Sequence, residues 1–201
     1  FKKQLAEKGN SFSKAHRKVL VAALQNQYTT IEVSEETQAN IDSLIHSNTF
    51  TVTTGHQLNL FTGPLYFLYK IISAINLAEE LSAQFPASNF VPVYWMATED
   101  HDFAEINNFY CFDRVFNWDS NQSGCVGDFN TDSINNTIEE LDVEISNFKS
   151  YSKIISIIKN SYLNSNNLSD ATRKFVNELF KEYGLLIIDP NDKKLKSNFS
   201  K

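Results

Sequence analysis

The sequence predicts an α/β fold, and three observations predict it. A short β-branched run, Phe50-Thr-Val-Thr-Thr54, stops at Gly55; a long helix with one apolar face starts behind Pro64; and Phe90-Val-Pro-Val-Tyr-Trp-Met96 is apolar on both faces. Strand, helix and buried strand succeed one another within about fifty residues, the signature of a βαβ unit with a right-handed crossover and parallel strands.

Local signals place each element in turn. Ser13 to Tyr28 opens on a capping serine and sets Val19, Leu20, Ala23 and Leu24 at helical spacing. A second helix follows Ser34, with Glu35 and Glu36 beside the positive end of its dipole and Ile41, Leu44 and Ile45 as its apolar stripe. After the strand Phe50 to Thr54 comes a polar loop, His56 to Thr62. Pro64 suits a first helical position, where no amide hydrogen is needed, and Leu65, Leu68, Ile71, Ile72, Ile75, Ala78 and Leu81 share one broad face. Pro86 closes that helix. Phe90 to Met96 is expected at the sheet centre, with Pro92 at ease only near the strand's beginning. Tyr110 to Trp118 alternates weakly, as a hairpin or an edge element. Asn and Ser crowd Ser120 to Asn136 and Asn160 to Asn167, which read as surface loops. Helices are expected around Ser150 to Leu163 and from Ser169 to Tyr183, the latter capped by Ser169 and stopped by Gly184. Leu185-Leu-Ile-Ile-Asp189 is a third apolar strand.

Composition narrows the function classes. A chain of 201 residues, 42% hydrophobic and 21% charged, is globular and can bury a core. Eighteen basic against 24 acidic residues give a net charge of −6, which opposes the electrostatic footprint of a nucleic-acid-binding domain. No apolar run is long enough to span a bilayer. Cys111 and Cys125 form no CxxC pair and have no zinc-finger spacing, so they read as thiols of a reducing compartment, the cytoplasm. The single Met is Met96, so Phe1 is not a translation start and the chain reads as part of a longer one.

Open parallel sheets bind ligands beyond the carboxyl ends of their strands. Three polar segments leave the strands here: Thr53 to Pro64, Ala97 to Asp102 and Asp189 to Asp192. Gly55 and Gly63 bracket the first, which runs into the long helix. They either cradle an anion with backbone amides or merely permit tight turns. Neither G-x-G-x-x-G nor G-x-x-x-x-G-K-[ST] is present, which removes the dinucleotide and P-loop fingerprints.

Glu99-Asp-His-Asp102 is four consecutive ionisable residues directly after a buried strand, a costly arrangement unless they are solvated or bind something. Three readings fit: carboxylate and imidazole ligands for a divalent metal, an imidazole base oriented by a neighbouring carboxylate, or a helix start. In the last, Asp100 or Asp102 caps a short helix containing Ala104 to Asn107, and His101 is solvated. His56 lies one residue past the first strand and is placed opposite this cluster. Lys70 either reaches a bound anion or is solvated, while Tyr66, Tyr69 and Trp95 either line a pocket or belong to the core. His16 and His46 fall on helices and receive no role.

Two long motifs carry a family resemblance. Thr54-Gly-His-Gln-Leu-Asn-Leu-Phe-Thr-Gly-Pro-Leu-Tyr-Phe-Leu-Tyr-Lys70, followed by Val91-Pro-Val-Tyr-Trp-Met-Ala-Thr-Glu-Asp-His-Asp-Phe-Ala-Glu105, resembles the bacillithiol biosynthesis cysteine-adding enzymes, a family of cysteine ligases. Tyr183-Gly-Leu-Leu-Ile-Ile-Asp-Pro-Asn-Asp192 is similar to a further family segment. Many family members carry glutamine at the position of His56, which implies that no imidazole is required there.

The resemblance implies a Rossmann-like parallel sheet related to the class I aminoacyl-tRNA synthetases. In that frame residues 1–49 are a helical segment, 50–116 the first part of the core, 117–167 a connecting insertion and 168–201 a return to the core. It also implies a longer, homodimeric protein with a helical coiled coil. The implied reaction joins the carboxyl group of L-cysteine to the amine of glucosaminyl-malate, giving bacillithiol. Amide formation from a free carboxylate needs activation, so ATP is the expected co-substrate, with no metal, nucleic-acid or membrane partner. The expected binding residues are Thr54, Gly55, His56, Gln57, Gly63 and Glu99, and the expected catalytic residues are Asp100, His101 and Asp102. Two rival readings are a metal-dependent hydrolase built on Glu99 to Asp102 and a non-enzymatic assembly module built on the long helix and the acidic surface.

Overall fold

The computed structural model describes residues 1–197. Its strands are β1 (Thr49–His56), β2 (Asn89–Met96), β3 (Asn108–Cys111), β4 (Arg114–Asn117) and β5 (Leu186–Ile188). The α-helices are α1 (Lys2–Ser11), α2 (Lys14–Gln27), α3 (Glu35–Ser43), α4 (Leu65–Gln84), α5 (Asn135–Ile145), α6 (Tyr151–Tyr162), α7 (Leu168–Phe180) and α8 (Lys193–Lys196). They fall into two units. The first takes Phe1–Gly55, Tyr69–Trp95 and the chain from Phe180, and the second takes His56–Leu68 and Met96–Leu179.

In the first unit both serine caps form as predicted. Ser13 Oγ accepts the His16 amide at 3.2 Å, and Ser34 Oγ accepts the Thr37 amide at 3.0 Å. The preceding helix, α1, has no sequence signal, and it buries none of its residues and has no side-chain cap. The sheet order is β1-β2-β5, so the doubly apolar strand is central as expected. Asn89 donates to the Asn48 carbonyl, and β2 pairs in parallel with β5 from Val93–Leu186 onward. Pro92 is the fourth residue of β2 rather than near its first. Odd-numbered amides of β2 point to β1, so the missing proline donor points toward β5, just before that ladder begins.

Strand periodicity explains how both sheet faces are covered. Phe50, Val52 and Phe90 meet Ala78 and Leu81 of α4. Thr51, Thr53, Val93 and Trp95 instead line a cleft of about 520 Å³ together with Val19, Leu20 and Leu24 of α2. The buried face of α4 is narrower than expected, being Phe67, Ile71, Ala74, Ile75, Ala78 and Leu81, while Leu65 and Ile72 are exposed. At 100° per residue, Leu65 and Ile72 each sit about a quarter to a third of a turn away from Ile71, off the buried stripe. Tyr66, Tyr69 and Trp95 are likewise exposed, so none of the three is core.

The second unit contains the antiparallel hairpin β3-β4, with Phe109 opposite Phe116 and the turn residue Phe112 at φ 55°. The Asn/Ser-rich stretch from Ser120 to Asn136 is more than a surface loop. Val126, Phe129 and Ile134 are buried there, and α5 begins inside it. Its polar residues hydrogen-bond locally, as Gln122 does with Asn130, and leave the three apolar ones to pack. Helix α7 starts two residues before its expected first turn: Asn167, not Ser169, accepts the Asp170 amide, at 2.8 Å. Its end matches expectation, with Gly184 left-handed at φ 64° after a short 3₁₀ turn.

Candidate functional site

The chain leaves β1 through Gln57-Leu-Asn-Leu-Phe-Thr-Gly63, and this loop is fixed by an unusual backbone. Phe61, Thr62 and Gly63 all have positive φ, at 47°, 82° and 50°. Two of these are not glycine, so packing must hold them in place. The Phe61 ring lies edge-on to Phe109 and Tyr162, with centroids at 5.3 and 4.8 Å. Its amide donates to the Tyr162 hydroxyl at 3.2 Å, and the Leu60 amide donates to the Ile106 carbonyl. Burial pushes the Tyr162 phenol up to about 12, so it stays protonated. Tyr162→Phe removes the acceptor for a buried amide and is expected to cost about 1–2 kcal/mol in a urea melt, with faster hydrogen exchange at Phe61.

The segment after β2 folds against this loop. Gln57 Nε2 donates to Asp100 Oδ2 at 2.9 Å and also to Glu105 Oε2, joining residues far apart in sequence. Asp100 Oδ1 accepts the backbone amides of His101 and Asp102 at 2.7 and 3.0 Å. These bonds, the one from Gln57 first, hold the Asp100 carboxyl below the ordinary carboxylate range. Asp102 is the N-cap of a 3₁₀ turn, Phe103–Glu105, and accepts the Glu105 amide at 3.3 Å. That turn replaces the expected helix through Asn107, and Asp102 does the capping that one of the sequence readings assigned to it. His101, Asp102 and Glu99 are exposed.

His56 is the last residue of β1 rather than a loop residue, because the strand runs two residues past Thr54. Its ring packs edge-on against Tyr66 and Phe67. The side chain that reaches Asp100 from this segment is its neighbour, Gln57.

Thr54 and Gly55 belong to the first unit, where the Gly55 carbonyl accepts from Lys70 Nζ. Lys70 is thus engaged with the backbone rather than simply solvated. The segment after β5 is also structural. Asp192 caps α8, and Gln27 exchanges two hydrogen bonds with the Asp189 backbone at 2.9 Å each. Among the described residues no three His, Cys, Asp or Glu side chains converge to hold a metal ion.

Two residues enter this site without having been singled out by sequence. Glu105 lies three residues after Asp102, the spacing of a capping pair, and that was its available signal. Cys125 stands with its Sγ 3.7 Å from His101 Nε2, and no spacing rule connects them.

None of the described helices is long and apolar enough to cross a membrane. Compared with known families, residues 1–201 match the one described as "Bacillithiol biosynthesis BshC, N-terminal Rossmann-like domain". A protein of Flavobacterium johnsoniae named "Putative cysteine ligase BshC" is 49% identical over 199 residues, which are 99% of this chain and 38% of the relative. Its namesake in Flavobacterium psychrophilum is 50% identical over 202 residues, with the same two shares, 99% and 38%. A third, from Staphylococcus carnosus, is 30% identical over 199 residues, covering 93% of this chain and 36% of that protein. The chain thus spans 38% of the length of the two Flavobacterium relatives. With a parallel β1-β2-β5 sheet under helices and a match along its whole length, the chain belongs to the BshC family of bacillithiol biosynthesis, as its N-terminal Rossmann-like domain.

Proposed function

We propose that the protein carrying this domain is a cytoplasmic ligase that joins the carboxyl group of L-cysteine to the amine of glucosaminyl-malate, forming the amide of bacillithiol. The observation that carries this reading is the Gln57 bridge, which joins the Asp100 and Glu105 carboxylates in the segment that also carries the exposed His101. Glu99, Asp100, Asp102 and Glu105 present negative charge suited to an incoming ammonium group. Because the Asp100 carboxyl is held low, it remains anionic throughout the neutral range. An ammonium must lose a proton before it attacks an acyl carbon. His101, exposed beside Asp100, takes that proton, while Asp100 and Asp102 hold the loop that presents it.

ATP is the proposed co-substrate and supplies the activation of the cysteine carboxylate. The first turn of α4, which follows Gly63 and Pro64, would hold its anionic part through backbone amides, as helix starts do for phosphate. In the same loop the Asn59 side-chain oxygen is buried without a hydrogen-bond partner, an acceptor suited to a ligand hydroxyl or amino group.

The test is product formation by the full chain from cysteine, glucosaminyl-malate and ATP, followed by mass spectrometry. His101→Ala is expected to lower the rate about a hundredfold, with the KM for glucosaminyl-malate changed far less. A rate equal to that of the unaltered protein removes His101 from the mechanism, and no product under any condition removes the ligase reading. The assembly-module reading predicts no thermal shift with cysteine, glucosaminyl-malate or ATP, whereas a ligase responds to its substrates.

A further inference from the structure

Cys125 and His101 are 24 residues apart, and two backbone hydrogen bonds bring them together. The Val126 amide donates to the Asp100 carbonyl at 2.7 Å, and the Gly127 amide donates to the Thr98 carbonyl at 3.0 Å. Gly127 permits this seam, because a Cβ at that position would lie 2.7 Å from Thr98 Cβ. Seating the two segments this closely leaves Cys125 Sγ 3.7 Å from His101 Nε2, on the exposed side of the seam. A thiol beside an imidazole is a nucleophile beside its proton acceptor.

We propose that Cys125 is a modification site for low-molecular-weight disulfides, activated by His101. In the reaction His101 takes the thiol proton and Cys125 Sγ attacks one sulfur of the disulfide. A new S–S bond forms to Cys125 as the disulfide's own S–S bond breaks. The departing half leaves as a thiolate and collects the proton from His101. Cys125 is oxidised, the small disulfide is reduced by the same two electrons, and no further reagent is needed.

Cys111 provides a reference within the same molecule. Both cysteines are free and half-buried, so access alone does not separate them. Their neighbours differ. Cys111 pairs with Arg114 in the β3-β4 ladder, and burial together with the nearby Glu144 charge pushes its thiol up, away from the reactive thiolate. Cys125 faces an imidazole instead.

The experiment treats the reduced full chain with cystine near neutral pH, quenches with acid and locates the mixed disulfides by peptide mass spectrometry. Cys125 is expected to acquire cysteine at least about tenfold faster than Cys111, and urea is expected to abolish the preference. His101→Asn is expected to slow Cys125 about tenfold while leaving the Cys111 rate in place. Equal rates at the two cysteines of the folded, unaltered chain overturn the proposal, whatever the variants do. An unchanged Cys125 rate in a folded His101→Asn chain overturns the role of the imidazole. The readout is mass on one cysteine, so it stands or falls separately from ligase activity.

Discussion

Gly63→Ala is expected to lower the unfolding free energy by about 3 kcal/mol, roughly a hundredfold in the folding equilibrium. Two costs add. The backbone at Gly63, φ 50° and ψ −131°, is a conformation in which a side chain is strained. A Cβ there would also lie 2.5 Å from Asn59 Cβ and 3.0 Å from Asn59 Cγ, and Asn59 is buried with little room to move. The loop already holds Phe61 and Thr62 at positive φ, so it has little capacity to absorb a third strained residue. Gly55→Ala is the control. A Cβ at Gly55 meets Trp95 only at 3.7 Å and beyond, an ordinary contact. Urea melts of the two variants should therefore differ sharply, and equal midpoints would show that the loop yields around Gly63.

Arg17→Met is the second large effect, expected at about 3 kcal/mol or more. Arg17 is 4% exposed, and its guanidinium donates to the carbonyls of Leu44 and Thr49 at 3.0 Å each and of Ser47 at 3.3 Å. These carbonyls line the turn between α3 and β1, so the cation ties α2 to the entry of the sheet. Burial lowers the affinity of the guanidinium for its proton, yet an arginine remains charged at any working pH. Methionine keeps much of the volume and the contact with Phe12, and it leaves the three carbonyls without their donor. Arg17→Lys should recover only part of the loss, since one ammonium cannot reproduce the planar fork. A loss below about 1 kcal/mol in Arg17→Met would mean that water replaces the guanidinium.

The unexpected features of the site come from side-chain contacts between distant segments. The sequence puts Gln57 in a candidate binding loop, and the structure adds that it donates to two carboxylates. The sequence puts His56 opposite Glu99 to Asp102, and in the structure its ring packs on Tyr66 and Phe67. The two residues are consecutive, His56 closing β1 and Gln57 opening the loop that follows, and consecutive side chains at a strand end leave in different directions. The length of β1 therefore decides which of them faces Asp100. Strand ends are set by where the ladder to a neighbour stops, as at the bond from the Ala97 amide to the His56 carbonyl, and that partner is supplied by the fold.

The linear sequence determined the elements whose signals are local. Serine caps at Ser13 and Ser34, the helix behind Pro64, the buried central strand and the glycine stop at Gly184 all follow from hydrogen-bonding and steric rules acting within a few residues. The two motifs that carry the family resemblance were equally legible, since they are contiguous. Tertiary structure alone decided the rest. It chose which stripe of α4 is buried, brought Glu105 to Gln57 and Cys125 to His101, and exposed Trp95 to a cleft. It also drew the chain back and forth between two units. The physical reason is range: a cap or a proline acts on its own turn, whereas burial and side-chain pairing depend on segments that meet only when the chain has folded.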